Sequence, residues 1–174
     1  MAKNIITPKF RASFVHLNKP RAAAPDAPEK YSLTVVLDMA DKEHTKFLDS
    51  LRESALAVAK EKFGAKLPKK LKLPFKDGDD EDRDEWAGCV VFTASASEEF
   101  RPGVVGPDRQ PIIDAAEIYS GMYARCSIRP YAWDHPTGGK GVSFGLGNVQ
   151  KLGDGDPFGS GVKAEDEFSE WDDE

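Results

Sequence analysis

The stretch "AEIYSGMYARCSIRPYAWD" (Ala116–Asp134) is the longest strand-like segment of the sequence, and its two faces differ in composition. Side chains alternate across a strand, so the even-numbered positions form one face and the odd-numbered positions the other. The even face is small or apolar and suits a core. The odd face combines four aromatic rings with two arginines, and it consists of Tyr119, Gly121, Tyr123, Arg125, Ser127, Arg129, Tyr131 and Trp133.

The odd-numbered face has the composition of a surface that binds single-stranded nucleic acid. An aromatic ring stacks on the bare face of an unpaired base for roughly 1–3 kcal/mol, and arginine binds phosphates through its forked donors. The pattern alone also permits these rings to pack beneath a helix or in a second small core. The rings predicted to stack bases are Tyr119, Tyr123, Tyr131 and Trp133, and the predicted phosphate ligands are Arg125 and Arg129.

Four further segments have the alternation and the β-branched or aromatic composition of strands. In the first of them, Thr7–Leu17, the alternation places Phe10, Ala12 and Phe14 on one face. A small antiparallel barrel is the most economical way to close five strands without exposed edges. The sequence therefore predicts a mainly β fold, a five-stranded antiparallel barrel with long loops. The four segments are Thr7–Leu17, Lys30–Asp38, Cys89–Ala96 and Val142–Leu152.

One segment departs from strand alternation. Between about residues 42 and 63, apolar side chains recur every three or four positions, which is the stripe of an amphipathic helix. Asp41 suits the N-cap and Gly64 suits the C-terminal stop. Because the stripe must be buried, we expect the helix to lie on the sheet, with His44 on its exposed side.

The sequence contains two strongly acidic segments, and the rest of it is basic. It contains 30 acidic and 24 basic residues, a net charge of −6. Asp77–Glu85 and Ala164–Glu174 together hold fourteen of the acids and one of the bases, so the remainder carries a net charge of +7. Such a remainder favours a polyanionic partner. The terminal segment, which contains Phe168 and Trp171, has the composition of a disordered tail.

Further basic residues extend the predicted phosphate contacts. A lysine run follows the helix and includes Lys69, Lys70 and Lys72. Lys19 and Arg21 lie in the loop predicted for residues 18–29. The first and last hairpin loops of a small five-stranded barrel flank its groove for nucleic acid, so this loop is a second candidate contact. Each of these basic residues is equally compatible with a solvated surface.

The sequence lacks signatures of catalysis and of bound cofactors. The Gly-Lys pair in "HPTGGKG" is not followed by the serine or threonine that a P-loop requires. The stretch "DGDDEDRDE" has Asp82 where a calcium loop requires glycine. We therefore expect a non-catalytic protein with no cofactor and no metal, and a metal-dependent nuclease is the less favoured alternative. No apolar run suits a membrane span or a signal peptide, so we expect a cytoplasmic protein without a membrane partner.

Four segments resemble, in this order, a family of tailed-phage and prophage single-stranded DNA-binding proteins. They are "LKLPFKDGD", "RPGVV…QPI", "IYSGMYARCSIRPYAWD" and "GKGVSFGLGNVQKLGDGDPFG", and an acidic end follows them. The resemblance implies an OB-fold barrel that coats single-stranded DNA during phage replication or recombination in the bacterial host. The helix departs from the usual OB order, because it follows the second strand rather than the third.

The resemblance also implies a division of the chain into a domain and a tail, and a role for the tail. It implies an OB-fold domain over residues 1–158 and a flexible acidic tail over residues 159–174. A looser similarity to phage replication proteins with acidic tails implies that Phe168 and Trp171 contact replication or recombination proteins. We also expect the tail to compete with DNA, and weak binding of duplex DNA is left open. The alternative class is an acidic DNA mimic that blocks a host enzyme.

Overall fold

The computed structural model of the chain describes residues 4–22, 24–81, 83–158 and 168–171. Most of the predicted tail, residues 159–167 and 172–174, lies outside the described residues, and its flexibility stays a prediction. Of the helices that these ranges contain, none is long and apolar enough to cross a membrane.

Five long strands and one long helix form the structure at the places that the sequence predicts. The helix has the predicted bounds, and three strands of two residues each supplement the five long ones. Strand β2 runs further than expected, and β7 starts later than expected. The elements in chain order are β1 (Ile5–Ile6), β2 (Phe10–Ala22), β3 (Glu29–Asp38), α1 (Lys42–Phe63), β4 (Lys76–Asp77), β5 (Cys89–Ser97), β6 (Val104–Val105), β7 (Tyr123–His135) and β8 (Gly139–Gly153).

The five long strands close into a ring. Strand β2 pairs with β3, β3 with β5, β5 with β8, β8 with β7, and β7 returns to β2. Four of these pairings are antiparallel, and β5–β8 is parallel, with Ala94 opposite Phe144. This is the Greek-key arrangement of an OB-fold barrel, which confirms the expected fold class.

Apolar side chains from all five long strands fill the barrel. Phe92 of β5 and Phe144 of β8 are both buried, and their ring centroids are 5.0 Å apart. Phe75, which precedes β4, packs on both rings with centroid distances of 5.9 and 5.8 Å. Tilted and edge-on ring pairs at this spacing contribute beyond their buried area, so this cluster reinforces the β5–β8 pairing.

Helix α1 packs against β3, β7 and β8. The side chain of Asp41 caps it by accepting hydrogen bonds from the backbone N–H groups of Glu43 and His44, as the sequence predicts. His44 is buried, so its expected position on the exposed side is wrong. Its Nδ1 accepts from the Asp38 N–H at 2.8 Å, and its Nε2 donates to the Lys9 carbonyl at 2.7 Å. These two polar backbone partners explain why an imidazole lies on the buried side.

His44→Ala should lower the free energy of unfolding by about 1–3 kcal/mol, because the partly buried Asp38 N–H loses its acceptor. Glu61→Ala, on the exposed side of the same helix, should change it by less than about 0.5 kcal/mol. Urea denaturation of both variants measures the difference. Equal stabilities would contradict the bridging role of His44.

Candidate nucleic-acid interface

Strand β7 presents its predicted odd-numbered face to the outside of the barrel. Ala124, Cys126 and Ile128 are buried in the core, whereas Arg125 and Arg129 are exposed. Tyr131 follows on the same outer face with 42% of its surface exposed. The alternation that predicts two faces is therefore confirmed from Tyr123 onward, because a regular strand segment spans these positions.

Trp133 lies across the neighbouring strand near the β7–β8 turn. Its Nε1 donates to the Ser143 hydroxyl at 2.9 Å. The ring covers Gly141, where a Cβ atom would collide with the indole. Because Gly141 has no side chain, the half-buried indole has room to lie against β8 on the outer surface.

The lysine run is held beside this indole. The Lys72 backbone pairs with β8, since its N–H donates to the Lys140 carbonyl at 3.0 Å and its carbonyl accepts from the Val142 N–H at 2.9 Å. The Lys72 ammonium reaches the Gly138 carbonyl at 2.8 Å. Lys69 and Lys70 are exposed just before it. Two sequence-distant candidates, the lysines and the odd face of β7, therefore meet at the β7–β8 turn.

Of the two arginines of β7, Arg125 lies near the other end of the strand and Arg129 at its middle. Arg125 Nε donates to Gln150 Oε1 at 2.6 Å, and Arg129 Nε donates to Asn4 Oδ1 at 3.2 Å. Arg125 also lines a groove of about 610 Å³ with Lys9 and Phe47. At about 3.3 Å per residue, the outer face of β7 extends over about 30 Å, so it is an elongated surface, here called the β7 track, rather than a single pocket.

Tyr119 lies before β7, not on its odd face. The segment Ala115–Glu117 is a short 3-10 turn that delays the strand. The Tyr119 hydroxyl lies 3.0 Å from Asp154 Oδ1 and accepts from the Gly155 N–H at 3.1 Å. Hydrogen bonds from Lys151 first, and from Tyr119 next, lower the pKa of Asp154. These contacts tie the ring to the segment after β8, and its base-stacking role stays a prediction.

Tyr123 belongs to a cluster that fixes the start of the tail. The Arg11 guanidinium lies 5.1 Å from the Tyr123 ring centroid and 4.2 Å from that of Phe158. It also donates to the carbonyl oxygens of Gly121 and Asp156 at 2.7 and 2.6 Å. The chain therefore leaves the barrel beside one of the predicted stacking rings.

Lys19 and Arg21 lie on the last residues of β2, so their expected position in a loop is wrong. The strand continues because Arg21 pairs with Lys30 across the β2–β3 ladder. Arg21 lines a cavity of about 490 Å³ on the outer face of β2, β3 and β5, whereas Lys19 is exposed nearby. Burial first, and the Arg21 charge next, lower the pKa of His16, which also lines this cavity.

This β2–β3–β5 cavity is the candidate region that sequence reasoning misses. Thr93 is exposed and Ser95 and Ser32 are half-buried, which leaves small polar groups along its floor. In an OB barrel this outer face and the adjoining hairpins carry the binding groove. The residues lining it are Phe14, His16, Arg21, Ala22, Ala27, Pro28, Lys30, Ser32, Thr93 and Ser95.

A β-bulge brings Phe14 to this cavity. Ser13 pairs with Thr34 and His16 pairs with Ser32. Between these pairs, β2 has two residues, Phe14 and Val15, opposite one residue of β3. Phe14 has a φ of 47°, in the left-handed region that a bulky residue seldom adopts. The extra residue directs Phe14 outward, and its expected place beside Phe10 and Ala12 is therefore wrong. No local signal in the sequence marks this bulge.

No metal site is recognisable in the parts of the two acidic segments that the structure describes. Among the described residues, no group of three or more His, Cys, Asp or Glu side chains is placed to bind a metal ion. Asp82 lies outside the described residues. In the tail, Phe168 and Trp171 are 71% and 88% exposed.

A closed OB barrel with rings and cations on its outer surface defines a nucleic-acid-binding protein of the OB-fold class. The family described as Enterobacter phage Enc34, ssDNA-binding protein, matches residues 3–174, and the chain belongs to this family. The resemblance inferred from the sequence is thereby confirmed. The family is one of DNA-binding proteins, in agreement with the expectation of a non-enzymatic chain.

Similar proteins come from several phages. The single-stranded DNA-binding protein of bacteriophage Enc34 in complex with ssDNA has a TM-score of 0.78 and 29% identity, covering 90% of this chain and 89% of that one. Protein p50 of Acyrthosiphon pisum secondary endosymbiont phage 1 is 29% identical over 92% of this chain and 89% of its own. Bacteriophage T7 gp2.5, a single-stranded DNA-binding protein, is 16% identical with a TM-score of 0.64, covering 96% of this chain and 93% of that one, and it shares the fold.

The stability of the segment after β8 should depend on pH through Asp154. Its lowered pKa means that its contribution is present above the unfolded-state pKa of about 3.9 and is lost as the pH falls through the folded value. We expect Asp154→Asn to have a lower melting temperature than the natural chain at pH 7. The difference should disappear at acid pH. A difference that persists unchanged to pH 2 would contradict the contacts described for Asp154.

Proposed function

We propose that the chain coats single-stranded DNA with little sequence preference during phage replication or recombination, in the cytoplasm of the bacterial host. The observation that carries this proposal is the outer surface of β7, where rings and cations lie along one track beside the Lys69–Lys72 cluster. Membership of the Enc34 family supports it.

The proposed contacts divide by chemistry. Every base has a π-face, so stacking holds DNA without reading its sequence. Phosphates pair with cations, and this part of the affinity falls as salt rises. We assign stacking to Tyr119, Tyr123, Tyr131 and Trp133, and phosphate contacts to Arg125, Arg129, Lys69, Lys70, Lys72, Lys19 and Arg21.

We further propose that residues 1–158 form the DNA-binding domain and residues 159–174 an acidic tail that competes with DNA. Phe158, the last residue before this tail, shares the Arg11 guanidinium with Tyr123, so the chain enters the tail at one end of the proposed track. Phe168 and Trp171 then contact replication or recombination proteins once DNA displaces the tail. Their large exposed fractions suit such contacts.

Two other functions make different predictions. An acidic DNA mimic would bind no oligonucleotide, and the net charge of +7 outside the acidic segments disfavours it. A metal-dependent nuclease would shorten a labelled strand when magnesium is added. One gel-shift experiment with single-stranded and duplex oligonucleotides, with and without magnesium, distinguishes the three functions. We expect a shifted, intact single strand in both conditions and weaker binding of the duplex.

Trp133→Leu should weaken binding of an oligo(dT) strand by about 5- to 150-fold, the equivalent of one lost stack of roughly 1–3 kcal/mol. Trp133→Phe is the matched control, since it also loses the hydrogen bond to Ser143 but retains a ring. Fluorescence anisotropy of a labelled strand measures both. Equal losses in the two variants would contradict stacking by the indole.

Deleting residues 164–174 should tighten binding of single-stranded DNA, most clearly at low salt, because seven competing carboxylates are removed. Anisotropy titrations at two salt concentrations measure the gain. An unchanged or weaker affinity would contradict competition by the tail, and partner binding would be its remaining proposed role.

A further inference from the structure

Phe14 is a half-buried ring on a second outer surface of the barrel, separate from the β7 track. The bulge in β2 directs it to the outer face of β2, β3 and β5, where it lines the 490 Å³ cavity. Arg21 and Lys30 line the same cavity. A ring beside two cations and small hydroxyl groups has the chemistry that one nucleotide requires.

In the free protein a guanidinium covers this ring. Arg83 Cζ lies 4.1 Å from the Phe14 ring centroid, the shortest cation–ring distance among the described residues. Trp86 meets the same ring edge-on, with centroids 5.7 Å apart and planes at 73°. The stacking face of Phe14 is therefore occupied before any ligand arrives.

Contacts of the neighbouring residues hold the backbone near Arg83 against the barrel, so its side chain is the part that can move. Trp86 is buried and donates from Nε1 to the Ser13 hydroxyl at 3.3 Å. Gly78 lies so close to the Trp86 carbonyl that a Cβ atom would not fit, and Asp79 Oδ1 accepts from the Gly88 N–H at 2.9 Å. The Arg83 side chain is exposed and pairs with Glu85 at 3.4 Å, a surface ion pair that holds it weakly.

A nucleobase can displace this guanidinium. An exposed cation–π contact contributes about 0.5–1 kcal/mol, whereas a base stacked on an aromatic ring contributes roughly 1–3 kcal/mol. The displaced guanidinium stays on a side chain whose backbone is fixed beside the Phe14 ring, so it remains near that ring. Its forked donors then match the adjacent phosphate in geometry and charge.

We propose that Phe14 is a nucleobase-stacking site and that Arg83 is its latch. The guanidinium covers the ring in the free protein and moves to a phosphate when a base stacks there. This proposal rests on the proposed single-stranded DNA binding and adds a base site and a positioning residue to it.

Two variants test the Phe14 ring and the Arg83 guanidinium separately. Phe14→Leu should weaken oligo(dT) binding by about 5- to 150-fold without changing the slope of log affinity against log salt. Arg83→Gln should reduce the magnitude of that slope by about 0.7, the share of one phosphate contact on a single strand. The matched controls are Phe75→Leu and Arg52→Gln, which alter a second arginine–ring pair, with the Arg52 guanidinium 5.6 Å from the Phe75 ring. Both controls should leave affinity and slope unchanged.

The Arg83 Nε–Hε resonance reports the latch directly in the natural chain. In the free protein the Phe14 ring current should shift it upfield, and a saturating oligo(dT) strand should remove that shift. Phe14→Leu should lack it from the start. An Arg83 resonance that does not respond to saturating oligo(dT), or an Arg83→Gln variant with the natural salt slope, would overturn the latch. If the natural chain binds no oligo(dT), the proposed function itself fails.

Discussion

The parallel pairing of β5 with β8 is the contact on which the rest of the structure depends. It joins the meander of β2, β3 and β5 to the β7–β8 hairpin, and it closes the ring. Only Ala94 and Ser95 take part on the β5 side, so the pairing gains support from the Phe92, Phe144 and Phe75 rings packed beneath it. Closure gives every long strand one inward and one outward face, and the outward faces become available for binding.

Two outward surfaces result, and each is built by a local departure from regular structure. On β8, the absence of a side chain at Gly141 lets the Trp133 indole lie against the strand. On β2, the extra residue of the bulge directs Phe14 away from the core, with its φ of 47° stabilised by surrounding contacts. One of these contacts is the hydrogen bond from the Val15 N–H to the Ser120 hydroxyl at 3.0 Å. Strained backbone is common at binding sites, and the proposed base-stacking site at Phe14 has this feature.

The two acidic segments are each attached to the barrel beside one of these surfaces. The Arg11 guanidinium contacts the rings of both Tyr123 and Phe158, and so attaches the segment before the tail to the barrel. Trp86 holds the first acidic segment over the outer face of β2, and that segment places Arg83 on Phe14. In both cases an arginine on an aromatic ring connects an acidic segment to a surface that suits DNA.

The sequence by itself determined the five long strands, the bounds of α1 and the two faces of β7, because alternation and helical periodicity are local properties of the chain. The same local rule failed at Phe14, His44, Tyr119 and the β2 positions of Lys19 and Arg21. At each of these positions the conformation depends on a partner that is distant in sequence. Pairing with β3 produces the bulge and extends β2. His44 is buried because it donates to the Lys9 carbonyl, and Tyr119 is held away from the β7 face by its hydrogen bond to Asp154. Only the tertiary structure could decide these positions, because closing the barrel fixes which distant groups become neighbours.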